Sequence, residues 1–282
     1  MKAVVAVTLL FPLLGRLAAQ TPIPSLPEPA IEDNSFLIEE AYNQEAGVVQ
    51  HINTLSLSGA DRRNLFYTFT QEWPLVSQRH QLSYTVPFTR SEGGAPQGFG
   101  DIQLNYRYQL GAYGRRWAFA PRLSVLLPSG SVEKGLGSGS TGVQVNLPLS
   151  VRISRDLVAH WNAGATLLPS AQGPDLGGSR MQRTVTSYNL GASLIGPVTW
   201  PVQLMLEATA GFNQAFTDAG LLSRSTVTVV SPGVRAAVNL GGLQIVPGIA
   251  VPVSWSDGHS ETDVFFYLSF EHPFAHGSGG EK

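Results

Sequence analysis

GFGDIQLNYRYQL, residues 98–110, changes side-chain character at every step. Asp101, Gln103, Asn105, Arg107 and Gln109 fall in one phase, and Ile102, Leu104, Tyr106, Tyr108 and Leu110 in the other. A strand sends successive side chains to opposite faces, so one face here is polar and the other largely apolar. In a soluble sandwich the apolar face packs a core and the polar face meets water. In a membrane barrel the order inverts, with apolar residues on lipid and polar ones on the lumen. The rest of the chain decides between the two.

Composition favours the membrane. Only 13% of the 282 residues are charged, about half the roughly 25% usual for soluble proteins. Gly, Ser, Gln, Asn and Thr fill the gap, as they must in a chain with much of its surface in lipid. The net charge of −2 and the lack of any basic patch argue against nucleic acid as a partner. Cysteine is absent, which excludes disulfides, thiol catalysis and thiolate metal sites. Lysine occurs only at Lys2, Lys134 and Lys282, so arginine carries most of the positive charge.

The first residues have the form of a secretory signal. Lys2 precedes the apolar run AVVAVTLLFPLLG (3–15), and Leu17-Ala18-Ala19 before Gln20 suits cleavage. The run is too short to span a bilayer as a helix, Pro12 interrupts it, and no longer apolar run follows. No cysteine stands at the boundary, which excludes a lipoprotein. Residues 20–46 then form an acidic, Pro-rich extension. QTPIPSLPEPAIEDNSF is extended in character, and LIEEAYNQEAG (37–47) has the composition of a short helix stopped by Gly47. Glu28, Glu32, Asp33, Glu39, Glu40 and Glu45 have no Lys or Arg among them. Two readings stay open: a solvated leader, or a segment that enters a barrel and docks on arginines inside it.

From residue 47 the pattern is that of strands, at 47–58, 64–75, 78–88, 99–110, 116–128, 142–153, 157–168, 184–195, 202–213, 225–239, 243–254 and 262–274. Most exceed the usual soluble length of about 5–6 residues and match the roughly 9–11 that a tilted transmembrane strand needs. Connections alternate between long and short: SGSVEKGLGSGST and PSAQGPDLGGSRMQR, for example, flank SRD. Outer-membrane barrels combine an even strand count with short periplasmic turns and long outer loops. The faces agree. Val143, Val145, Leu147, Leu149 and Val151 oppose Gln144, Asn146, Ser150 and Arg152, and comparable sets recur in 202–213 and 262–274, with Met205 and Phe265 out of phase. Trp73, Phe88, Trp117, Trp200, Phe212 and Trp255 lie near strand ends, where interfacial girdles belong. Pro121, Pro148, Pro232 and Pro247 fall inside strands and suggest bulges or bends.

Gly98-Phe99-Gly100-Asp101 leading into an alternating strand, with Leu127-Pro128-Ser129-Gly130 closing the next, resembles the bacterial outer-membrane barrels grouped under the MetA pathway of phenol degradation. The resemblance covers roughly residues 36–274. It implies a transporter-like barrel that passes small, often aromatic, compounds across the outer membrane.

Polar-face parity nominates Glu72, Asp101, Arg107, Arg122, Arg152, Glu207, Arg235, Asp263 and Glu271 as lumen-lining residues. Mixed signs favour forked arginine–carboxylate pairs. These serve either as a network that holds the barrel's shape or as a constriction that selects by charge. Catalysis finds little support. His80 and Ser83 are three apart and so on opposite faces, and His259-Ser260 beside Asp257 and Glu261 is suggestive only by composition. His51, His80, His160, His259, His272 and His276 show no metal-ligand spacing. KGLGSGSTG (134–142) lacks the order of a phosphate loop and reads as an outer loop.

The expectation is an all-β, twelve-stranded antiparallel transmembrane β-barrel in the outer membrane of a Gram-negative bacterium. It divides into a signal peptide (1–19), the acidic extension (20–46), the barrel (47–274) and a tail (275–282). The expected role is a channel or transporter for small molecules, with loops 129–141 and 169–183 shaping the outer mouth. The alternative is a closed barrel with a structural or surface-interaction role. Outer-membrane lipid and a small-molecule solute are the expected partners. No cofactor, metal or catalytic residue is nominated, and oligomeric state stays open.

Overall fold

The computed structural model describes residues 31, 33–59, 64–91, 97–110, 116–175, 177–178 and 180–274. The expected signal peptide (1–19), residues 20–30 and 32 of the extension, and the expected tail from 275 lie outside the described residues. The hydrogen-bonded runs join into twelve staves that close on themselves. They are β1 (Val48–Ser58), β2 (Asn64–Pro74), β3 (His80–Arg90), β4 (Gln97–Phe99 with Ile102–Tyr108), β5 (Trp117–Phe119 with Arg122–Leu127) and β6 (Gly142–Asn146 with Leu149–Arg152). The remainder are β7 (Val158–Asp175), β8 (Arg180–Gly196), β9 (Val202–Phe216), β10 (Leu222–Ala236 with Val238–Leu240), β11 (Leu243–Ala250 with Val253–Ser256) and β12 (His259–Thr262 with Val264–Pro273). Each pairs antiparallel with its neighbours in sequence. β12 closes on β1 from Val48 opposite Pro273 to Leu57 opposite Val264. The chain is a transmembrane β-barrel of the outer-membrane type.

Closure removes free sheet edges, so the period-two pattern alone decides what faces out. In β4, Asn105 and Arg107 are buried while Leu104 and Tyr106 are exposed. Leu204 and Leu206 of β9 and Phe266 and Leu268 of β12 are exposed in the same way. Large apolar residues outside with buried Asn, Gln and Arg inside is the reverse of a soluble domain. The apolar face of GFGDIQLNYRYQL therefore meets lipid.

Prolines break the ladder at some positions and not at others. β5 is interrupted at Pro121 and β6 at Pro148, because proline has no N–H to donate. Neighbouring bonds bridge both gaps, from Tyr108 N–H to Pro121 O (3.1 Å) and from Ala120 N–H to Pro148 O (3.0 Å). Pro232 and Pro247 instead stay within continuous strands, opposite Leu206 and Leu268.

Two expectations change. Residues 169–183 are not mainly a loop: β7 and β8 continue pairing through Ala171 opposite Arg183, Gln172 opposite Gln182 and Asp175 opposite Arg180, across two register shifts. Backbone pairing needs no apolar side chains, so a hairpin extends past the apolar belt where sequence polarity alone suggests a loop. Residues 37–47 are not a helix. Their backbone groups bond to side chains of the barrel wall, which supply the partners a helix would otherwise provide. Gly47, at φ +82°, turns the chain into β1.

Candidate functional site

Residues 31 and 33–44 of the acidic extension lie inside the barrel. Ile31, Asp33, Ser35, Phe36, Ile38, Glu40, Ala41, Asn43 and Gln44 are all buried. From Asp33 to Gln44 this strap runs once around the lumen wall, near the end with the short turns. Asp33 accepts from Tyr267 Oη of β12 at 2.6 Å, and from Ser269 Oγ. Arg235 of β10 donates to Asp33 O (3.1 Å) and Asn34 O (2.8 Å). Leu37 N–H donates to Glu207 Oε1 of β9 at 3.0 Å. Asn162 of β7 grips Glu39 at both backbone groups, accepting from its N–H (3.0 Å) and donating to its carbonyl (2.7 Å). Ala41 N–H donates to Ser150 Oγ of β6 (2.8 Å), Asn43 N–H to Gln109 beyond β4 (3.0 Å), and Gln44 N–H to Gln81 of β3 (2.7 Å). Gln50 of β1 closes the circuit: it accepts from Gln44 Nε2 and donates to Asp33 Oδ1, both at 2.5 Å.

The apolar residues of the strap have sockets. Phe36 packs on Tyr267 and Phe265, with ring centroids 5.0 and 5.6 Å apart. It lies over Gly248 and Gly233, while Ile38 lies over Gly191; a Cβ at any of these glycines would crowd the strap side chain. Ile31 and Phe36 share one buried cluster with Ile195, Val198, Met205, Val246 and Phe265. Each fully buried side chain of this size contributes about 1.5–3 kcal/mol.

Charge fills the centre of the turn. Glu40 Oε1 accepts from Arg235 Nη2 at 3.2 Å, and Glu40 Oε2 stands 3.7 Å from His160 Nε2. Arg107 donates to Glu40 O (3.2 Å), Tyr42 O (2.6 Å) and Asn43 Oδ1 (2.8 Å). Among the described residues, the void bordered by Asp33, Glu40, Tyr42 and Gln50 is about 10 Å³, room for about one water. Between the strap and the long-connection end lies a cavity of about 580 Å³. Phe36, Ile38 and Glu39 line it from the strap, and Thr70, Gln144 and Asn189 from the wall.

The nominated residues separate into two groups. Arg107, Arg122, Glu72, Glu207 and Arg235 come together around the strap. Arg122 Nη2 is 2.8 Å from Glu39 Oε1, and Arg107 Nη2 is 3.7 Å from Glu72 Oε2. The other four lie apart from it. Asp101 anchors loop 129–141, accepting from Gly130 N–H (2.9 Å) and from Ser138 N–H (2.8 Å) and Oγ (2.7 Å). Arg152 is half-buried in β6, opposite Val158. Asp263 accepts from Ser56 Oγ at 3.5 Å. Glu271 stands opposite Gln50 and Gln244.

His80 bonds Tyr106 Oη (2.7 Å), whereas Ser83 is buried beside Asn105 (3.1 Å), which leaves the two on opposite faces. His259 and Ser260 are exposed in β12. Ser150 Oγ lies 2.7 Å from His160 Nδ1, with Glu40 on the far side of the ring. That order resembles a nucleophile, base and acid. Ser150 is fully buried, however, and takes the Ala41 N–H, so the trio is a bracket for the strap.

No family model matches the chain, and no curated protein matches it. Among solved structures, the COG4313 outer membrane channel from Pseudomonas putida F1 is similar at TM-score 0.60 and 12% identity, over 83% of this chain and 98% of that one. The NanC porin follows at TM-score 0.49 and 10% identity, over 78% and 98%. The KdgM porin in complex with disordered oligogalacturonate gives 0.45 and 9%, over 81% and 99%. At such identities the likeness is one of fold. That fold is the outer-membrane barrel.

Charge parity nominated the arginines and carboxylates but passed over Gln50, Gln81, Gln109, Ser150 and Asn162, which carry much of the strap's backbone bonding. A signal for the apolar sockets was present. Met205 and Phe265, the two apolar residues out of phase with their strands, both belong to the cluster around Phe36.

Proposed function

We propose that the chain is an outer-membrane channel for small solutes, closed by its own residues 33–46 and opened when they leave the wall. The circuit of the strap around the lumen carries this reading. A structural filler needs only bulk, whereas this segment is held by separate hydrogen bonds to successive strands, each exchangeable for water. The name of the Pseudomonas putida protein supports a channel role. The solute class is a small, aromatic or hydrophobic molecule. Support for it comes from the resemblance to the phenol-pathway barrels and from a cavity that sets Phe36 and Ile38 beside threonine hydroxyls and amides. Lipid contacts the apolar belt, and solute enters from the long-connection side.

The test is conductance in a planar bilayer, with and without residues 20–46, after a heat-dependent gel shift has verified folding of each form. The expected result is rare or small steps from the full chain and large, frequent steps from the truncated one. Silence from a folded truncated barrel would overturn the channel and leave a closed barrel with a structural or surface role.

A further inference from the structure

We infer that Glu39 occupies a seat for the carboxylate of the solute, and that a small monocarboxylate carrying an apolar group competes with it there. This deepens the channel reading and rests on it for its consequence, but its test reads binding directly, so the two can fail separately.

The strap's two central acids are placed very differently. Glu40 points into the closed centre, with a side chain only 4% exposed. Glu39 faces the cavity, and its side chain keeps 24% of its surface. Its Oε1 accepts from Arg122 Nη2 (2.8 Å) and Asn146 Nδ2 (2.9 Å), and its Oε2 stands 3.8 Å from Arg107 Nη1. The donors are themselves held in place. Arg122 also donates to Asn105 Oδ1 and Gln144 Oε1, both at 2.7 Å, and Arg107 is fixed by three bonds to the strap. Planar guanidinium groups with braced partners form a geometric site for a carboxylate.

Charge makes the same point. With Glu39 set aside, Arg107 and Arg122 face the single carboxylate of Glu72. Arg122, whose ion pair among the described residues is with Glu39, then has a positive charge for an anion to neutralise. Burial of that charge is unfavourable without a partner, so the wall needs Glu39 or a substitute for it. Phe36 and Ile38 of the strap line the same cavity and offer apolar surface near the seat. A monocarboxylate that takes the seat removes the strap's ion pair with the polar wall, so occupancy and release are coupled.

Benzoate is the probe, with benzyl alcohol as its uncharged counterpart. Both are titrated calorimetrically into the refolded full-length chain and its Glu39→Gln, Glu39→Ala and Glu39→Gln/Arg122→Gln variants. Benzoate is expected to bind Glu39→Gln and Glu39→Ala about tenfold or more tightly than the unaltered chain, the scale of one charged hydrogen bond. Benzyl alcohol is expected to show no such gain, and Arg122→Gln is expected to abolish it for benzoate. The inference is overturned if benzoate gains nothing in Glu39→Ala, if benzyl alcohol gains as much, or if the gain survives Arg122→Gln. Benzoate binding as expected in a barrel that never conducts would sustain the seat and sink the channel.

Discussion

The two halves of the strap meet two unlike walls. Residues 31 and 33–38 lie against β8 to β12, where Gly191, Gly233 and Gly248 leave sockets among Met205, Phe265 and Tyr267. Residues 39–44 lie against β3 to β7, where Asn162, Ser150, Gln109 and Gln81 bond to the backbone. The first half adds shape and apolar burial to its polar bonds, and the packing term falls off abruptly once a socket is filled. The second is held by separate polar contacts, each modest and each replaceable by water or by a solute group. The two halves therefore differ in having apolar sockets or not, rather than in having polar bonds.

The comparison breaks most completely at Gly248. A Gly248→Leu side chain would occupy the position of the Phe36 ring. Conductance of this variant is expected to approach that of the truncated chain, with the gel shift of the folded barrel retained; unchanged conductance would mean that the apolar half does not hold the strap. Asn162→Ala probes the polar half. It removes two bonds to Glu39 and leaves partly buried backbone groups without those partners, a loss of about 2 kcal/mol, or roughly thirtyfold in the open fraction read from single-channel records. An effect equal to that of Gly248→Leu would erase the distinction between the halves.

The smallest effect is expected at Glu133, outside both halves. It pairs at 3.0 Å with Arg180, joining loop 129–141 to the outer end of β8. Its own backbone N–H, the Ser131 hydroxyl and Arg180 hold its carboxyl below the usual glutamate range. A depressed value stabilises the folded loop above the ordinary glutamate pKa and loses that contribution as pH falls through the lowered one. Glu133→Gln is expected to leave conductance at neutral pH unchanged, and NMR titration of the loop should show Glu133 protonating after ordinary glutamates. A change in gating would make the outer loops part of the closure.

Legibility followed the range of the interaction. The alternation in GFGDIQLNYRYQL, repeated through strands such as 142–153, is a local consequence of strand geometry and could be read directly. Loop polarity was less informative: 169–183 is polar yet mostly paired, because a hairpin ladder depends on the backbone. At the site, parity placed Arg107, Arg122 and Arg235 inside, but nothing local says which carboxylate each meets. Asp101 shares their parity and secures a loop instead. Met205 and Phe265 showed as exceptions without showing what they touch.

The sequence by itself determined the barrel and which face meets lipid, because period-two patterning and closure act between neighbours along and across strands. It also carried the acidity of residues 20–46 and the arginines that could answer it. Only the tertiary structure decided that residues 33–44 circle the lumen, with Phe36 over Gly248, Glu40 on Arg235 and Glu39 facing the cavity. Those contacts join positions more than two hundred residues apart, such as Asp33 with Arg235 and with Ser269. Their partners are selected by the shape and charge of an interior that exists only after the barrel has closed.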